Sequence, residues 1–362
     1  MAEGTEMLDV GPGGLPVPRA RADLIGHSDA EAALLGAWRS GRLPHAWLLH
    51  GPRGIGKATL AFRFARFVLA DGTEGGDLGI SSDHPISRRV AASGHSDLMT
   101  LERGIDDKGR RRSEIVIDDV RRMNRFVGLT AAEALWRVVI VDGAEEMNRN
   151  AANALLKHLE EPPANTLFLL VSHAPARLLP TVRSRCRQLA LRPLAREEVR
   201  ALLRAAPDCA DLSDGDIDVL VALAEGSPGR GVSMLEQGGV ELYQTLTGLL
   251  SGLPSPDVAA LHAFGDRLAK KDGADAFRTV SELLLWWLAA AIRGRAAGSR
   301  GTGELPGDPS VGERLLAAHP LDQWVEVWEN VRRLFAGTEP LNLERKQVFL
   351  NAFTLLARAA RA

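Results

Sequence analysis

The sequence predicts an α/β domain with a mainly parallel sheet, followed by an all-α part. Three observations predict it. Short apolar runs alternate with amphipathic stretches from Asp23 to about Leu191. A glycine-rich turn joins the first apolar run directly to a helix, and after Pro193 the β-like runs stop. The expected strands are Ala46–His50, Leu98–Leu101, Val138–Val141, Leu167–Val171 and Gln188–Leu191. Thr59–Leu69 reads as a helix because Leu60, Phe64, Phe67 and Val68 recur on one face. Asn148–Glu161 reads as another, stopped by Pro162 and Pro163, which lack the N–H that a further turn needs. Between Asp71 and Ser96 lies a long polar insertion with no assigned role.

Composition narrows the class. Of 362 residues, 45% are apolar, enough for two or three domains with their own cores and too many for a disordered chain. Lys plus Arg number 44 against 46 Asp plus Glu, a formal charge of -2, which argues against a polybasic coat for nucleic acid. The two cysteines, Cys186 and Cys209, are too few for a disulfide framework or a four-thiolate zinc site and fit a reducing cytoplasm. The longest apolar run, Leu283–Ile292, is about half what a bilayer needs and is expected to be a buried helix containing Trp286 and Trp287. The Gly- and Pro-rich start has no apolar core segment, so residues 1–22 read as a loose tail rather than a signal peptide. A cytoplasmic protein is expected.

Chemistry is carried by four places. Gly51-Pro52-Arg53-Gly54-Ile55-Gly56-Lys57-Ala58 stands between a strand and a helix. That context lets backbone N–H groups and the helix dipole cradle a phosphate while Lys57 reaches its outer oxygens. The hydroxyl residue that ligates Mg²⁺ in such loops is replaced by Ala58. Thr59 is kept as a candidate, although one helical position turns its side chain by about 100°. The second place is Asp142, ending the strand Val138–Val141 where such folds hold Mg²⁺. The next position, often a glutamate that activates water, is Gly143, with Glu145 three residues past Asp142. Third, seven arginines oppose two glutamates between Thr181 and Arg204, and a solvated basic face competes there with an arginine offered to a phosphate. Fourth, Gly226-Ser227-Pro228-Gly229-Arg230 is a turn entering a helix. His84 and His95 have no cysteine nearby, so no zinc is expected.

Ordered segments then resemble a known family. They are His45-Ala46-Trp47-Leu48-Leu49-His50-Gly51-Pro52, Trp136 through Met147, Asn153 through Pro163 with its Glu-Glu-Pro-Pro ending, and Arg183-Ser184-Arg185-Cys186. Together they look like the AAA+ clamp-loader subunits of bacterial DNA polymerase III, of the delta-prime type, over about residues 23–237. The resemblance implies an AAA+ P-loop domain at 23–192, a helical lid at 193–237 and a helical oligomerisation collar at 238–362. It implies a largely non-hydrolysing subunit that presents Arg185 as an arginine finger to a neighbour's ATP. Nucleotide contacts, working or vestigial, would come from Gly51, Gly54, Gly56, Lys57, Thr59, Asp142, Ser172 and Arg230. ATP or ADP is the implied cofactor, with Mg²⁺ open and zinc absent. The implied partners are gamma/tau and delta subunits, with primed DNA and the sliding clamp reached through the complex and no membrane. The alternatives are a gamma/tau-type ATPase, disfavoured by Ala58 and Gly143, and a stand-alone DNA-binding AAA+ module.

Overall fold

Five strands, β1 (Ala46–His50), β2 (Leu98–Leu101), β3 (Arg137–Asp142), β4 (Thr166–Ser172) and β5 (Arg187–Ala190), form one sheet in the order β2-β3-β4-β1-β5. Every adjacent pair is parallel, with Leu48 opposite Leu170 on one side and Gln188 on the other. The computed structural model describes residues 11–72, 76–105, 109–129, 131–298, 305–308 and 310–361. It divides into two compact units, one running through Leu202 and regaining Gly226–Gly229, the other holding Leu203–Glu225 and Arg230 onward.

In the first unit the helices are α1 (Ser28–Arg39), α2 (Lys57–Leu69), α3 (Pro85–Ala91), α4 (Ile117–Gly128), α5 (Arg149–Glu160) and the single turn α6 (Pro180–Arg183). Strand side chains alternate between two cores, as a pleated sheet covered on both faces requires. Trp47, Leu49, Ile140 and Leu169 join Leu34 of α1 and Phe64 of α2 on one face. Leu48, Val139, Phe168 and Leu170 join Val120 of α4 and Leu155 of α5 on the other. The central strand β4 is buried along its whole length, which explains its unbroken apolar run. α5 starts where the Asn148 side chain caps Ala151 N–H at 2.9 Å, and its last residue stands just before the two prolines.

Two expectations change. The 71–96 insertion is not merely polar: Leu78, Ile80 and Val90 are buried in the α1–α2 core, and α3 lies within it. Residues 73–75 of that insertion and 1–10 of the expected tail lie outside the described residues. The rest of the tail is anchored near its end: buried Arg66 donates to the Arg19 and Arg21 carbonyls at 3.0 and 2.6 Å, and Arg63 to Ala22 at 2.7 Å. Burial, helped by the Arg63 charge, lowers Arg66 to about 10.

α7 (Arg196–Arg204) and α9 (Pro228–Glu236) contribute residues to both units. The second unit is helical, with α8 (Asp214–Ala224), α10 (Gly239–Ser251), α11 (Val258–Ala269), α12 (Ala274–Ala296), α13 (Ser310–Ala317), α14 (Leu321–Ala336) and α15 (Arg345–Ala359). Leu283–Ile292 lies in α12 with Trp286 and Trp287 buried, Trp286 meeting Tyr243 edge-on at 6.1 Å. Apolar packing accounts for these tryptophans. α12 continues to Ala296 and α13 begins at Ser310; residues 299–304 and 309 lie outside the described residues. Among the described residues no helix is long and apolar enough to cross a membrane.

The β2 edge is locked by Asp97, whose carboxylate accepts the backbone N–H groups of Ala132, Glu133 and Ala134 at 2.8–2.9 Å. Burial pushes this carboxyl up, but the three N–H bonds win and hold it below the usual range. Asp97→Ala is expected to destabilise the first unit by about 2 kcal/mol, because three backbone donors lose a charged, buried acceptor. The depressed pKa makes that stabilisation complete above about pH 4 and lost as the pH falls through the folded value. Denaturant melts at pH 7 and pH 3 check both: the gap between wild type and variant must narrow in acid.

Candidate functional site

The glycine-rich loop leaves the C-terminal end of β1 and enters α2, the edge of a parallel sheet where ligands gather. Gly51, Gly54 and Gly56 have φ of 150°, 79° and 102°, so the loop curls as a phosphate cradle must. Lys57, only 6% exposed, does not point outward. Its ammonium donates to the Gly51 and Pro52 carbonyls, at 2.9 Å for Gly51. Burial lowers Lys57 to about 8 against the opposing pull of Glu145 and Asp142. The loop's own carbonyls are also engaged. Ser227 Oγ donates to the Arg53 carbonyl at 2.6 Å, and Gly229 N–H to the Gly54 carbonyl at 3.0 Å. A Cβ at Gly229 would stand 2.9 Å from Gly54 Cα, so only glycine allows this approach. The His27 ring nitrogen Nε2 lies 2.6 Å from the Ile55 carbonyl.

Three further candidates stand at the same edge. Asp142 closes β3, and burial, reinforced by Glu102, pushes its carboxyl above the usual range. Ser172 closes β4, fully buried; its carbonyl accepts Gly51 N–H at 3.3 Å and its hydroxyl accepts Ala174 N–H at 3.2 Å. Glu145 is pinned by His173, through the backbone N–H at 2.9 Å and the imidazole. Burial raises Glu145, but the His173 N–H and the Ser172 hydroxyl outweigh it, and the carboxyl is held low. Thr59, in the first turn of α2, is buried.

Gly143 is more than a missing glutamate. Its φ is 79°, a left-handed backbone, and a Cβ there would meet the Glu146 carboxylate at 2.7 Å, held in place by Arg103 at 2.8 Å. The strand-to-turn geometry itself resists a side chain at the position of a water-activating base.

The other candidates lie elsewhere. Arg185 precedes β5, at the N-terminal edge of the sheet. β5 is in register with β1, Arg187 beside Trp47 and Ala190 beside His50, so the strand's length, about 13 Å, separates that edge from Gly51. In the Ser184-Arg185-Cys186 turn the cysteine packs into the core, its thiol pushed up to about 12 by burial, while Arg185 reaches the surface. Arg185 bonds the Thr181 carbonyl at 3.0 Å and Glu160 at 2.8 Å. The basic run around it is not a plain solvated face: Arg187 lies over the Trp47 ring at 5.3 Å and Arg204 bonds the Leu212 carbonyl and Asp214. Arg230 belongs to the second unit and pairs with Glu225, which also lies 3.8 Å from Arg293. Among the described residues no group of three or more His, Cys, Asp or Glu could hold a metal ion.

The residues fit a phosphate better than a hydrolytic Mg²⁺: the N-terminus of α2 offers N–H groups, but Ala58 has no hydroxyl and Lys57 is turned inward. Sequence reasoning missed Ser227, His27, His173 and Glu160. Ser227 and Glu160 lie within segments already singled out and His173 adjoins Ser172, but their contacts, like that of His27, are with residues far along the chain.

Two predictions follow from this geometry. Gly143→Glu is expected to lower stability by about 1–2 kcal/mol, the penalty of a left-handed side-chain-bearing residue, and to restore no ATPase activity. Thermal melts and phosphate release check it. Lys57 has a folded pKa of about 8, below its ordinary 10.5. The folded state therefore sheds a proton first, and stability from this group rises with pH between those values. Lys57→Met must lack that rise in paired denaturant titrations at about pH 7.5 and 10.

Known proteins match this part of the chain. The family model described as DNA polymerase III, delta subunit, matches residues 26–195. DNA polymerase III subunit delta' of Pseudomonas aeruginosa is 42% identical over 185 residues, 51% of this chain and 53% of that protein. The Escherichia coli subunit delta' is 31% identical over 236 residues, covering 64% of this chain and 66% of that one. The gamma/tau subunit of Mycobacterium tuberculosis is 30% identical over 273 residues, covering 74% and 46%. The chain thus spans about half the length of the Pseudomonas and Mycobacterium proteins that it matches. With its glycine-rich loop, its Ser-Arg-Cys turn and a parallel sheet between them, the segment 26–195 is what matches the family described as DNA polymerase III, delta subunit.

Proposed function

We propose that this chain is a delta-prime subunit of a bacterial clamp loader, a AAA+ subunit that hydrolyses little or no ATP itself and offers Arg185 to the ATP of a neighbouring gamma/tau subunit. The observation that carries this reading is the separation of the two chemistries. Lys57, Asp142 and Ser172 stand at the C-terminal edge of the sheet and Arg185 at the N-terminal edge, about 13 Å away, so Arg185 cannot serve its own loop. A phosphate met by an arginine so placed would be one held by another molecule. There it would stabilise charge on a transferring phosphoryl group, an effect worth about 10³–10⁵ in rate for related fingers.

Three features support the non-hydrolysing half of the reading: Ala58 in place of the metal-ligating hydroxyl, the left-handed Gly143 in place of a base, and a Lys57 bonded to its own loop. ATP or ADP held at this loop would rest on Gly51, Gly54, Gly56, Lys57 and the start of α2 near Thr59, without turnover. Mg²⁺ has no hydroxyl ligand here, and zinc has no part. In the same proposal, 193–237 acts as lid and 238–362 as collar. Gamma/tau and delta subunits are the partners, primed DNA and the sliding clamp are met through the complex, and the setting is the cytoplasm.

In a complex reconstituted with gamma/tau and delta subunits, Arg185→Ala is expected to leave assembly intact and to slow DNA-stimulated ATPase and clamp loading about tenfold. Wild-type rates in that variant would remove the finger assignment. The purified chain is expected to show negligible ATPase; turnover abolished by Lys57→Ala would favour the gamma/tau-type reading instead.

A further inference from the structure

We infer that Glu160 is the positioning residue of Arg185, fixing the orientation in which the guanidinium meets a neighbour's phosphate. The inference rests on Arg185 serving as a finger. It begins from an electrostatic anomaly. Glu160 is the last residue of α5 and Glu161 its C-cap, at the end of a helix where the dipole is negative and a carboxylate is disfavoured. Lys157 and His158, one turn earlier, are the residue types that such an end prefers. A pair of acids set against the local preference is expected where another group requires them.

Arg185 is that group. Its Nη2 lies 2.8 Å from Glu160 Oε1, while its Nη1 donates to the Thr181 carbonyl at 3.0 Å and approaches Ser184 Oγ at 3.5 Å. Glu160 and Thr181 belong to different helices, α5 and α6, and hold different nitrogens, so together they set the plane of the guanidinium as well as its position. The adjoining Cys186, buried in the core, fixes the backbone from which the side chain departs. Guanidinium carries more N–H donors than these contacts use, so donors remain for a bidentate phosphate contact.

The pair is open to solvent, with side chains 35% and 50% exposed. Such a pair contributes little to folding stability. Its value is preorganisation: an arginine already oriented loses less side-chain freedom when it engages a phosphate. α5 also ties this edge to the other one. It begins just after the Asp142–Glu146 turn and ends at Glu160, so the carboxylate is mounted on a rigid element rather than a loop.

The test uses the assembled clamp-loader complex with wild type, Glu160→Ala, Glu160→Gln, Arg185→Ala and the Glu160→Ala/Arg185→Ala pair. Glu160→Ala is expected to lower kcat of the DNA-stimulated ATPase about three- to tenfold with KM for ATP unchanged, the pattern of a contact made in the transition state. Glu160→Gln keeps an acceptor oxygen and should recover most of the loss. In the Arg185→Ala background, Glu160→Ala should add nothing, whereas a merely structural role would lower complex yield and rate in both backgrounds. If Arg185→Ala slows the complex but Glu160→Ala leaves kcat unchanged or raises it, the positioning role is overturned and the finger stands. If Arg185→Ala leaves the rate unchanged, the finger reading fails and this inference fails with it.

Discussion

Parallel pairing of β1 with β4 and β5 is the constraint on which the rest depends. Parallel strands share polarity, so every strand end on one side of the sheet is a C-terminal end and every one on the other an N-terminal end. β1, β3 and β4 therefore deliver Gly51, Asp142 and Ser172 to a common edge. The same rule sends the residues that precede β5, and the end of the returning helix α5, to the opposite edge. No loop adjustment could bring Arg185 to Lys57 without breaking the ladder. The fold separates the glycine-rich loop from the Ser-Arg-Cys turn.

The closed form of the cradle is likewise written into backbone as much as into side chains. At Gly143 the left-handed turn is backed by Glu146 and Arg103, and at Gly54 the approach of Gly229 closes on a carbonyl. Lys57 completes the pattern by satisfying its ammonium within the loop. Each of these groups has an internal partner, as buried polar groups ordinarily do.

Much of this was legible in the sequence because the relevant signals are local. β1 and β2 fall where their apolar runs place them, and β3 to β5 differ by about one residue at their ends, where helices and strands ordinarily fray. Proline 162 and the Asn148 cap mark α5 within a residue for the same reason. Ala58 and Gly143 showed the altered cradle. What was not legible depends on pairs far apart in the chain: the arginine between Glu160 and Thr181, the burial of Leu78, Ile80 and Val90 within a stretch rich in polar residues, and the inward turn of Lys57. Sparse apolar residues in a polar segment have no period to reveal them, yet each can still fill a core position.

The anchoring of residues 19–22 under α2 has a consequence for where the domain starts. Homology to the family begins at residue 26, but Arg63 and Arg66 take their acceptors from Arg19, Arg21 and Ala22. A fragment cut to the homologous segment would leave Arg66 in the core without the Arg19 and Arg21 carbonyls, while Arg63 would lose Ala22 and keep Glu31 and Asp77. Since guanidinium cannot escape by losing its proton, such a fragment should be an expression failure. The boundary drawn by ancestry and the boundary drawn by hydrogen bonding differ here, and protein engineering must respect the second.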